Sequence, residues 1–390
     1  MAAFLSRPGL ETSDRSGAIK MKLFAWKKLL VVALIILISV GVLHLRWRLW
    51  LWINRVPQMQ NIPVTTVGYT IEQIPFHFDA GFVRGHDVYL ATGKGWVYKG
   101  DDRRRPQDVQ LLGGPQFLPR LLFVSSRGTI FVSGDNSPMV RSTDGGKTWE
   151  KIHDWSFWRM TEDEENHTLY AGNYSQKRRP VFIAKVFKSN DEGRTWHTIF
   201  EDERLDHIHS IQWDAKYRNL YITAGDGIHR GQAYSPDYGN TWYWINSGGK
   251  QGHTDVAISE RYIWWGSDDS LGRILRAPRQ PVRDGRAVVW QPYHHVWWIV
   301  AEHRQIYTGT FTSRRKKGYP GAFLIASDDE GETWQRLLVE PPFENALFSG
   351  FVNDSRRLSA EGWLYCATSS GRAFRIRRTP KVGNMAGLSN

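Results

Sequence analysis

A turn-like motif of eight residues recurs along the chain at nearly constant spacing. The pattern Ser-x-Asp-x-Gly-x-Thr-Trp occurs complete at residues 142–149, 189–196, 235–242 and 327–334. The aspartates of successive copies are 47, 46 and 92 residues apart, and the last interval is twice 46. A fixed period of about 40 to 50 residues is typical of propellers and solenoids. Degenerate copies are predicted near position 283, at Asp284-Gly285 with Trp290, and at Asp101-Asp102.

Each copy has the composition of a hairpin turn followed by a strand. Ser and Asp side chains accept hydrogen bonds from turn amides, Gly supplies a positive φ, and Thr-Trp begins the next strand with a ring to bury. Alternating segments rich in Tyr, Ile, Val and Phe precede the turns, such as residues 168–172 and 181–187. The sequence therefore predicts about four short strands per repeat, which is the content of one propeller blade.

The pattern resembles the Asp-box, or BNR repeat, of sialidase-like β-propellers, and the repeats cover about residues 62–380. In that family the Asp-box lies on a peripheral turn away from the active site, so the resemblance implies a structural role for its residues here. These residues are Asp144, Gly146, Trp149, Asp191, Gly193, Trp196, Asp237, Gly239, Trp242, Asp329, Gly331 and Trp334. The family's catalytic residues are not found by motif: the string nearest to its Arg-Ile-Pro element is Arg375-Ile376-Arg377, which lacks the proline. The resemblance implies the fold, and a shared fold does not imply a shared activity.

The predicted fold is an all-β propeller of four-stranded blades, with seven blades preferred to six. Second strands of the blades are expected at seven apolar pairs: Val88-Tyr89, Ile130-Phe131, Leu169-Tyr170, Leu220-Tyr221, Tyr262-Ile263, Ile306-Tyr307 and Leu364-Tyr365. The last blade has a predicted third strand at residues 373–377 but no convincing fourth. Residues 64–75 are expected to supply that strand, because closing the ring removes an exposed sheet edge.

The first 55 residues hold much of the chain's positive charge. The formal net charge is +12, and residues 1–55 carry nine Lys/Arg against two acidic residues. The rest of the chain is nearly balanced and carries no nucleic-acid motif, so no nucleic-acid partner is predicted. One cysteine, Cys366, excludes an internal disulfide.

Residues 29–45 are predicted to form a single-pass transmembrane anchor. They are apolar, and a Trp/Arg cluster typical of a headgroup interface follows them. A cleaved signal peptide and a buried soluble helix are the alternatives. Six basic residues before the span against three after it predict a cytosolic N-terminus and an extracytoplasmic propeller. The expected organisation is a cytosolic basic segment (1–28), the anchor (29–45), a juxtamembrane linker (46–61), the propeller (62–380) and a flexible tail (381–390).

Propeller geometry indicates where a binding site should lie. If the Asp-box turns occupy one face, the opposite face is built from the starts of the inner strands and the loops between second and third strands, where function usually resides. The inner-strand starts contribute the candidate ligand-binding residues His207, His209, His253, His294, His295, Trp158, Arg159 and Trp297. The loops contribute Arg178, Arg179, Arg230, Arg314 and Arg315, which would attract an acidic ligand.

The histidines have more than one reading. They can bind a hydroxylated ligand, hold a metal or simply stabilise turns, and no His or Cys spacing typical of a metal motif is present. No metal site and no cofactor are therefore predicted.

Two hypotheses of function follow. The first is a non-catalytic propeller that binds an acidic glycan, an envelope polysaccharide or a protein partner. The second is a sialidase-like glycoside hydrolase or lyase, with Asp206, Asp255 and Glu344 as the acid/base candidates.

Overall fold

The structure is a computed structural model of the 390-residue chain. It describes residues 30–46, 64–174, 183–226, 230–246, 253–267, 272–280, 282, 287–290, 294–313, 321–341 and 348–379. The chain divides into two compact units, Met1–Val56 and Pro57–Asn390.

In the first unit, a single helix covers residues 30–46. No helix in the described part of the chain is long and apolar enough to cross a membrane. The structure therefore does not support the transmembrane anchor predicted at residues 29–45.

The second unit consists of antiparallel sheets that follow one another along the chain. Five sheets have four strands each, and in each of them neighbouring strands are consecutive in sequence. The first two sheets comprise β2 (Ala80–Arg84), β3 (Asp87–Ala91), β4 (Val97–Asp101) and β5 (Gln110–Gly113), then β6 (Leu121–Val124), β7 (Ile130–Ser133), β8 (Met139–Ser142) and β9 (Glu150–His153). The third and fourth comprise β10 (Phe157–Asp163), β11 (Thr168–Asn173), β12 (Ala184–Ser189) and β13 (His197–Asp202), then β14 (Ile208–Asp214), β15 (Asn219–Ala224), β16 (Gly231–Ser235) and β17 (Tyr243–Asn246). The fifth comprises β18 (Asp255–Ile258), β19 (Tyr262–Gly266), β20 (Ile274–Pro278) and β21 (Ala287–Trp290).

The remaining strands form one eight-stranded sheet that brings the two ends of the repeat region together. Its strands are β22 (His295–Glu302), β23 (Gln305–Ser313), β24 (Ala322–Ser327), β25 (Gln335–Glu340), β26 (Phe348–Asp354), β27 (Leu364–Thr368), β28 (Ala373–Arg378) and β1 (Tyr69–Ile74). Strand β1 pairs antiparallel with β28, from Tyr69 opposite Arg378 to Ile74 opposite Ala373. The N-terminal strand thus covers the edge of the last hairpin, as predicted for residues 64–75.

The predicted second strands all lie second in their groups of four, in β3, β7, β11, β15, β19, β23 and β27. These strands are mostly apolar or aromatic, and β11, β15 and β27 are buried along their whole length. Fourth strands such as β9 and β13 have exposed positions. The core therefore lies between the faces of adjacent sheets, and the outer strands contact solvent.

The Asp-box turns connect third strands to fourth strands. In the first copy, Ser142 Oγ donates to Asp144 Oδ1 at 2.8 Å and accepts from the amide of Gly146 at 2.8 Å. The Asp144 carboxylate also accepts from the amide of Thr148 at 3.0 Å and from its hydroxyl at 2.6 Å. These bonds from Thr148 and Ser142 hold the pKa of Asp144 well below its usual range. The indole of Trp149 donates to the carbonyl of Gly146 at 3.0 Å, so every part of the motif has a contact within its own turn.

The same contacts recur in the other three copies. Only Trp334 of the four Asp-box tryptophans is buried; Trp149, Trp196 and Trp242 are half-buried. The sequence predicted that these rings would be buried in the core. Three of the four instead cover the turn at the margin of the core. The degenerate copy at Asp101-Asp102 lies where the third strand β4 ends and the turn to the fourth strand β5 begins, and Asp284-Gly285 lies outside the described residues.

The Asp-box glycine also packs against the neighbouring sheet. All four glycines have positive φ, and a Cβ on any of them would collide with a residue of the preceding sheet. The colliding atoms belong to Leu112 at 2.7 Å for Gly146, Phe131 at 2.6 Å for Gly193, Ile199 at 2.4 Å for Gly239 and Trp264 at 2.5 Å for Gly331. The motif therefore joins adjacent sheets as well as turning the chain.

Two neighbouring glycines of the first turn allow these roles to be separated. Gly145 (φ 74°) has nothing within 4 Å of an added Cβ, whereas Gly146 (φ 91°) has Leu112. We expect Gly145→Ala to lower the free energy of unfolding by about 1–2 kcal/mol, the cost of the left-handed conformation. We expect Gly146→Ala to cost a further ~1–3 kcal/mol from overpacking. Urea unfolding of both variants measures the difference, and equal losses would show that sheet-to-sheet contact at Gly146 is unimportant.

Candidate functional site

The first strands of the sheets surround one central cavity of about 480 Å³. Residues of β2, β6, β10, β14, β18, β22 and β26 all line it. We name the side on which these strands begin the front face. Because consecutive strands are antiparallel, second strands end at the front face and the Asp-box turns lie at the opposite end of the sheets.

Four first strands carry a β-bulge. The register of β10 against β11 shifts between Phe157 and Arg159, which leaves Trp158 as the extra residue. Equivalent shifts make His209 the extra residue of β14, Trp297 that of β22, and Val352 that of β26. Bulges redirect side chains and are frequent beside active sites. Three of the predicted site residues therefore occupy bulges near the front ends of their strands.

Four aromatic rings, carried by or next to four strands, meet at the front face. The ring of Trp158 stacks on that of Tyr174, with centroids 3.3 Å apart and an interplanar angle of 10°. The ring of Trp297 lies 5.8 Å from Trp158 at 51°, and its edge contacts Phe311 at 4.6 Å. Both tryptophans are half-buried, so part of each ring faces solvent. Two tilted, partly exposed indoles make an aromatic corner at the front of the cavity.

The Trp158 ring is held in place by a polar chain. Its Nε1 donates to Asp135 Oδ1 at 2.9 Å, and the other oxygen of Asp135 accepts from Arg120 Nε at 3.0 Å. Arg120 and Asp135 are themselves half-exposed. The aromatic corner is therefore bordered by a fixed carboxylate and a guanidinium that can exchange hydrogen bonds with a ligand.

The predicted histidines differ in their burial and in their contacts. His207 and His209 are buried with their Nε2 atoms 2.6 Å apart, and the Tyr174 ring lies 4.3 Å from that of His207. His253 is buried and reaches this pair through its carbonyl oxygen, which accepts from Nδ1 of His209 at 3.0 Å. His294 is buried against Phe323, and the half-buried His295 stacks on Phe311.

A group of buried charges lies inside the cavity. Asp255 accepts from Ser210 Oγ at 2.5 Å and from two backbone amides at 3.1 and 3.2 Å. Its carboxylate also lies 3.7 Å from Arg159 Nε and 3.3 Å from Arg356 Nη1. Arg356 contacts Asp354 as well, at 3.1 Å. The charges of these two arginines and two aspartates neutralise one another within the cavity.

Burial shifts the protonation equilibria of this group. Burial, with the nearby guanidinium of Arg356, lowers the pKa of Arg159 to about 10, so the side chain is still charged at neutral pH. Burial raises the pKa of Asp354. Asp255, a predicted acid/base candidate, is 3% exposed and has both oxygens engaged, which is the environment of a structural counter-ion.

The other candidates are scattered or lie outside the described part of the chain. Asp206 is half-buried just before β14, and Arg230 is half-buried just before β16. Five of the predicted residues lie outside the described residues: Arg178, Arg179, Arg314, Arg315 and Glu344.

Sequence reasoning missed several residues of the site. Tyr174 directly follows the second strand β11, and Asp226 follows the second strand β15 by two residues. Second strands end at the front face, so both residues lie there. The residues predicted from the loops after these strands, Arg178, Arg179 and Arg230, are all basic. Asp354 and Arg356 carry no local signal, because Asp354 is the last residue of β26 and Arg356, two positions later, meets Asp255 across 101 residues.

Comparison with known proteins agrees with this architecture. The sequence model of the BNR/Asp-box repeat matches residues 140–151. No curated protein sequence matches the chain. Among solved structures, the GH74 xyloglucanase from Xanthomonas campestris is similar, with a TM-score of 0.55, 14% identity, and coverage of 78% of this chain and 53% of that one. This chain thus spans about half of that enzyme.

Two shorter structures are covered almost completely. The RRP9 WD40 repeats have a TM-score of 0.56 and 12% identity, with 81% of this chain and 99% of that one covered. YCF48 bound to D1 peptide has a TM-score of 0.54 and 13% identity, with 81% and 99% covered. The sheets around a common cavity define a β-propeller. Its repeated turn is that of the BNR/Asp-box repeat, which the family model matches at residues 140–151.

Proposed function

We propose that this protein is a non-catalytic β-propeller that binds a glycan at the aromatic corner of its front face. The observation that carries the proposal is the placement of Trp158, His209 and Trp297 at β-bulges of three first strands. Bulges redirect side chains and are frequent beside active sites, and these three carry an indole or imidazole ring near the front end of a strand.

The chemistry of the corner suits a sugar. One face of a pyranose ring is largely C–H and packs on an aromatic ring, while its hydroxyl edge needs hydrogen-bond partners. Trp158 and Trp297 supply aromatic faces, and Asp135 with Arg120 supplies an acceptor and a donor beside them.

Binding is favoured over hydrolysis by the state of the central carboxylates. Most glycoside hydrolases use two carboxyl groups that flank the scissile bond. Asp255 is buried beside Arg159 and Arg356, and Asp354 is buried beside Arg356, so both carboxyl groups serve as partners of arginines inside the protein. The GH74 enzymes share the fold with this chain, and the sialidase-like alternative draws no support from the cavity's charge pairing.

The proposal has two finer parts. We infer seven blades. The eight-stranded sheet counts as two of them, one made of β22–β25 and the other of β26–β28 with β1. We also keep the expectation of an acidic glycan, which rests on cationic loop residues of the sequence that lie largely outside the described residues.

The expected result of a direct test is glycan binding that depends on Trp158. The full-length protein is applied to an array of neutral and acidic glycans with matched backbones, and the best binder is titrated in solution. Trp158→Ala should weaken its affinity by about 2 kcal/mol or more, about 30-fold, because a central aromatic ring is lost.

Trp244→Ala provides the matched control. Trp244 is also half-buried, but it lies on the outer strand β17 and packs against Phe200. The Trp244→Ala variant should bind glycan with the same affinity as the unmodified protein. Failure of every glycan to bind, or equal affinity of the Trp158→Ala variant, would overturn the proposal, and release of reducing sugar would favour the hydrolase instead.

A further inference from the structure

Two imidazoles and a carboxylate converge beside the aromatic corner. Nε2 of His207 and Nε2 of His209 are 2.6 Å apart. Asp226 places Oδ1 at 3.3 Å from the His209 nitrogen and Oδ2 at 3.8 Å from the His207 nitrogen. We infer that His207, His209 and Asp226 form a binding site for a divalent transition-metal ion.

The hydrogen bond behind His209 prepares its ring for coordination. A carbonyl oxygen can only accept, so Nδ1 of His209 carries the proton that it donates to the His253 carbonyl at 3.0 Å. In the neutral ring Nε2 therefore presents a lone pair toward His207 and Asp226. Metal-binding histidines commonly have this arrangement, in which an outer partner fixes both the tautomer and the ring orientation.

The three ligand atoms need only a small adjustment to bind an ion. Zinc binds histidine nitrogen at about 2.0–2.1 Å and carboxylate oxygen at about 2.0–2.2 Å, so tetrahedral ligand atoms lie about 3.4 Å apart. The two nitrogens must separate by about 0.8 Å, and the carboxylate distances already bracket the required value. The Asp226 side chain is 47% exposed, which leaves a path for the ion from solvent.

The donor set defines the class of metal. Two histidines and one carboxylate occur in catalytic zinc sites and in non-haem Fe(II) sites, where further coordination positions remain for water or another ligand. Hard ions such as Mg²⁺ and Ca²⁺ prefer all-oxygen sites. We therefore expect Zn²⁺, and Co²⁺ as its spectroscopic substitute, to bind.

A second histidine-carboxylate cluster provides a contrast. His86 lies near Asp101 and Asp102, but Asp101 is paired with Arg103, and the second oxygen of Asp102 accepts from a backbone amide at 2.8 Å. A guanidinium beside the carboxylates opposes a cation. His86 therefore serves as the control for the first cluster.

Metal binding to the full-length chain tests the inference without any need for a glycan. The protein is stripped with a chelator and dialysed against Zn²⁺, bound metal is measured by mass spectrometry, and affinity is measured by competition with a chromophoric chelator. We expect about one Zn²⁺ per chain, and Co²⁺ should give the visible absorption bands of a low-coordinate site.

Variants of two ligands should weaken this binding. His209→Ala should lower the Zn²⁺ affinity by at least about 100-fold, since loss of outer partners alone costs about 10–100-fold. Asp226→Asn should lower it by at least about 10-fold, while His86→Ala should leave it within about twofold. Because Asp226 is exposed, its variant keeps the test decisive even if His209→Ala fails to fold.

Three outcomes would overturn the metal site. They are absence of stoichiometric Zn²⁺ on the unmodified chain, unchanged affinity in the Asp226→Asn variant, and loss of the metal in His86→Ala. None of these depends on the glycan, so failure of the metal site and failure of the proposed binding function are separate results.

Discussion

Replacement of Asp255 by Asn is expected to destabilise the protein by about 3–5 kcal/mol. The substitution keeps the shape of the side chain but leaves Arg159 and Arg356 in the cavity with only Asp354 to balance them. Arg159 is 8% exposed, so its charge is poorly solvated when Asp255 is neutral. Removing one partner of a buried ion pair typically costs this much because an uncompensated charge remains. Urea unfolding followed by tryptophan fluorescence measures the loss.

A second substitution distinguishes charge from shape. Arg159→Met combined with Asp255→Asn removes one positive and one negative charge together, so we expect the double variant to recover much of the lost stability. Asp154→Asn is the surface control, because its ion pair with Lys151 is highly exposed and should contribute little to stability. A loss below about 1 kcal/mol for Asp255→Asn, or a double variant worse than the sum of the singles, would contradict the role of Asp255 as a counter-ion.

The regular part of the fold was predictable because its signals are local. The Asp-box places Ser142, Asp144, Gly146 and Thr148 within one turn, and each hydrogen bond that fixes the turn joins residues two to four positions apart. A turn of this kind marks the boundary between third and fourth strands wherever it occurs, so its period also locates the strands between. The last blade lacked a fourth strand in the sequence, and this gap predicted that the N-terminal strand β1 pairs with β28.

The N-terminal segment was predictable as a helix but not as a membrane span. Residues 29–45 are apolar and the structure has a helix at residues 30–46, yet no helix among the described residues is long and apolar enough to cross a membrane. The predicted anchor is therefore not supported, whereas the predicted second strands are confirmed.

The site was predictable only in outline. Strand starts are local features, so Trp158, His207 and His209 could be placed on one face from the repeat pattern. A bulge is a property of the register between two strands, and no single strand reveals it. The shift that singles out Trp158 depends on how β10 pairs with β11, and the partner of His209 is the carbonyl of a residue 44 positions away. Local sequence patterns do not predict such long-range pairing.

Replacement of Trp264 by Ala is expected to cost about 3–5 kcal/mol. The side chain is completely buried between the β18–β21 sheet and the following sheet, where its ring meets the edge of Trp334 at 6.2 Å. Its Nε1 donates to Ser259 Oγ at 2.9 Å, so the substitution removes a buried hydrogen bond as well as the ring. The cavity that remains cannot close easily, because the Asp-box turn above it is fixed by its own hydrogen bonds. Urea unfolding measures the loss, and Trp244→Ala on an outer strand should cost less.

Gly331 tests whether this loss comes from the contact between the two sheets. A Cβ on Gly331 would lie 2.5 Å from the Trp264 ring, so Gly331→Ala alone should be destabilised both by this collision and by its positive φ of 82°. In the Trp264→Ala background the collision disappears and only the backbone cost remains. The double variant should therefore be more stable than the sum of the single losses predicts, by about 1–3 kcal/mol. Strictly additive losses would mean that Trp264 stabilises only its own sheet, and the role of the Asp-box turn in joining neighbouring sheets would have to be abandoned.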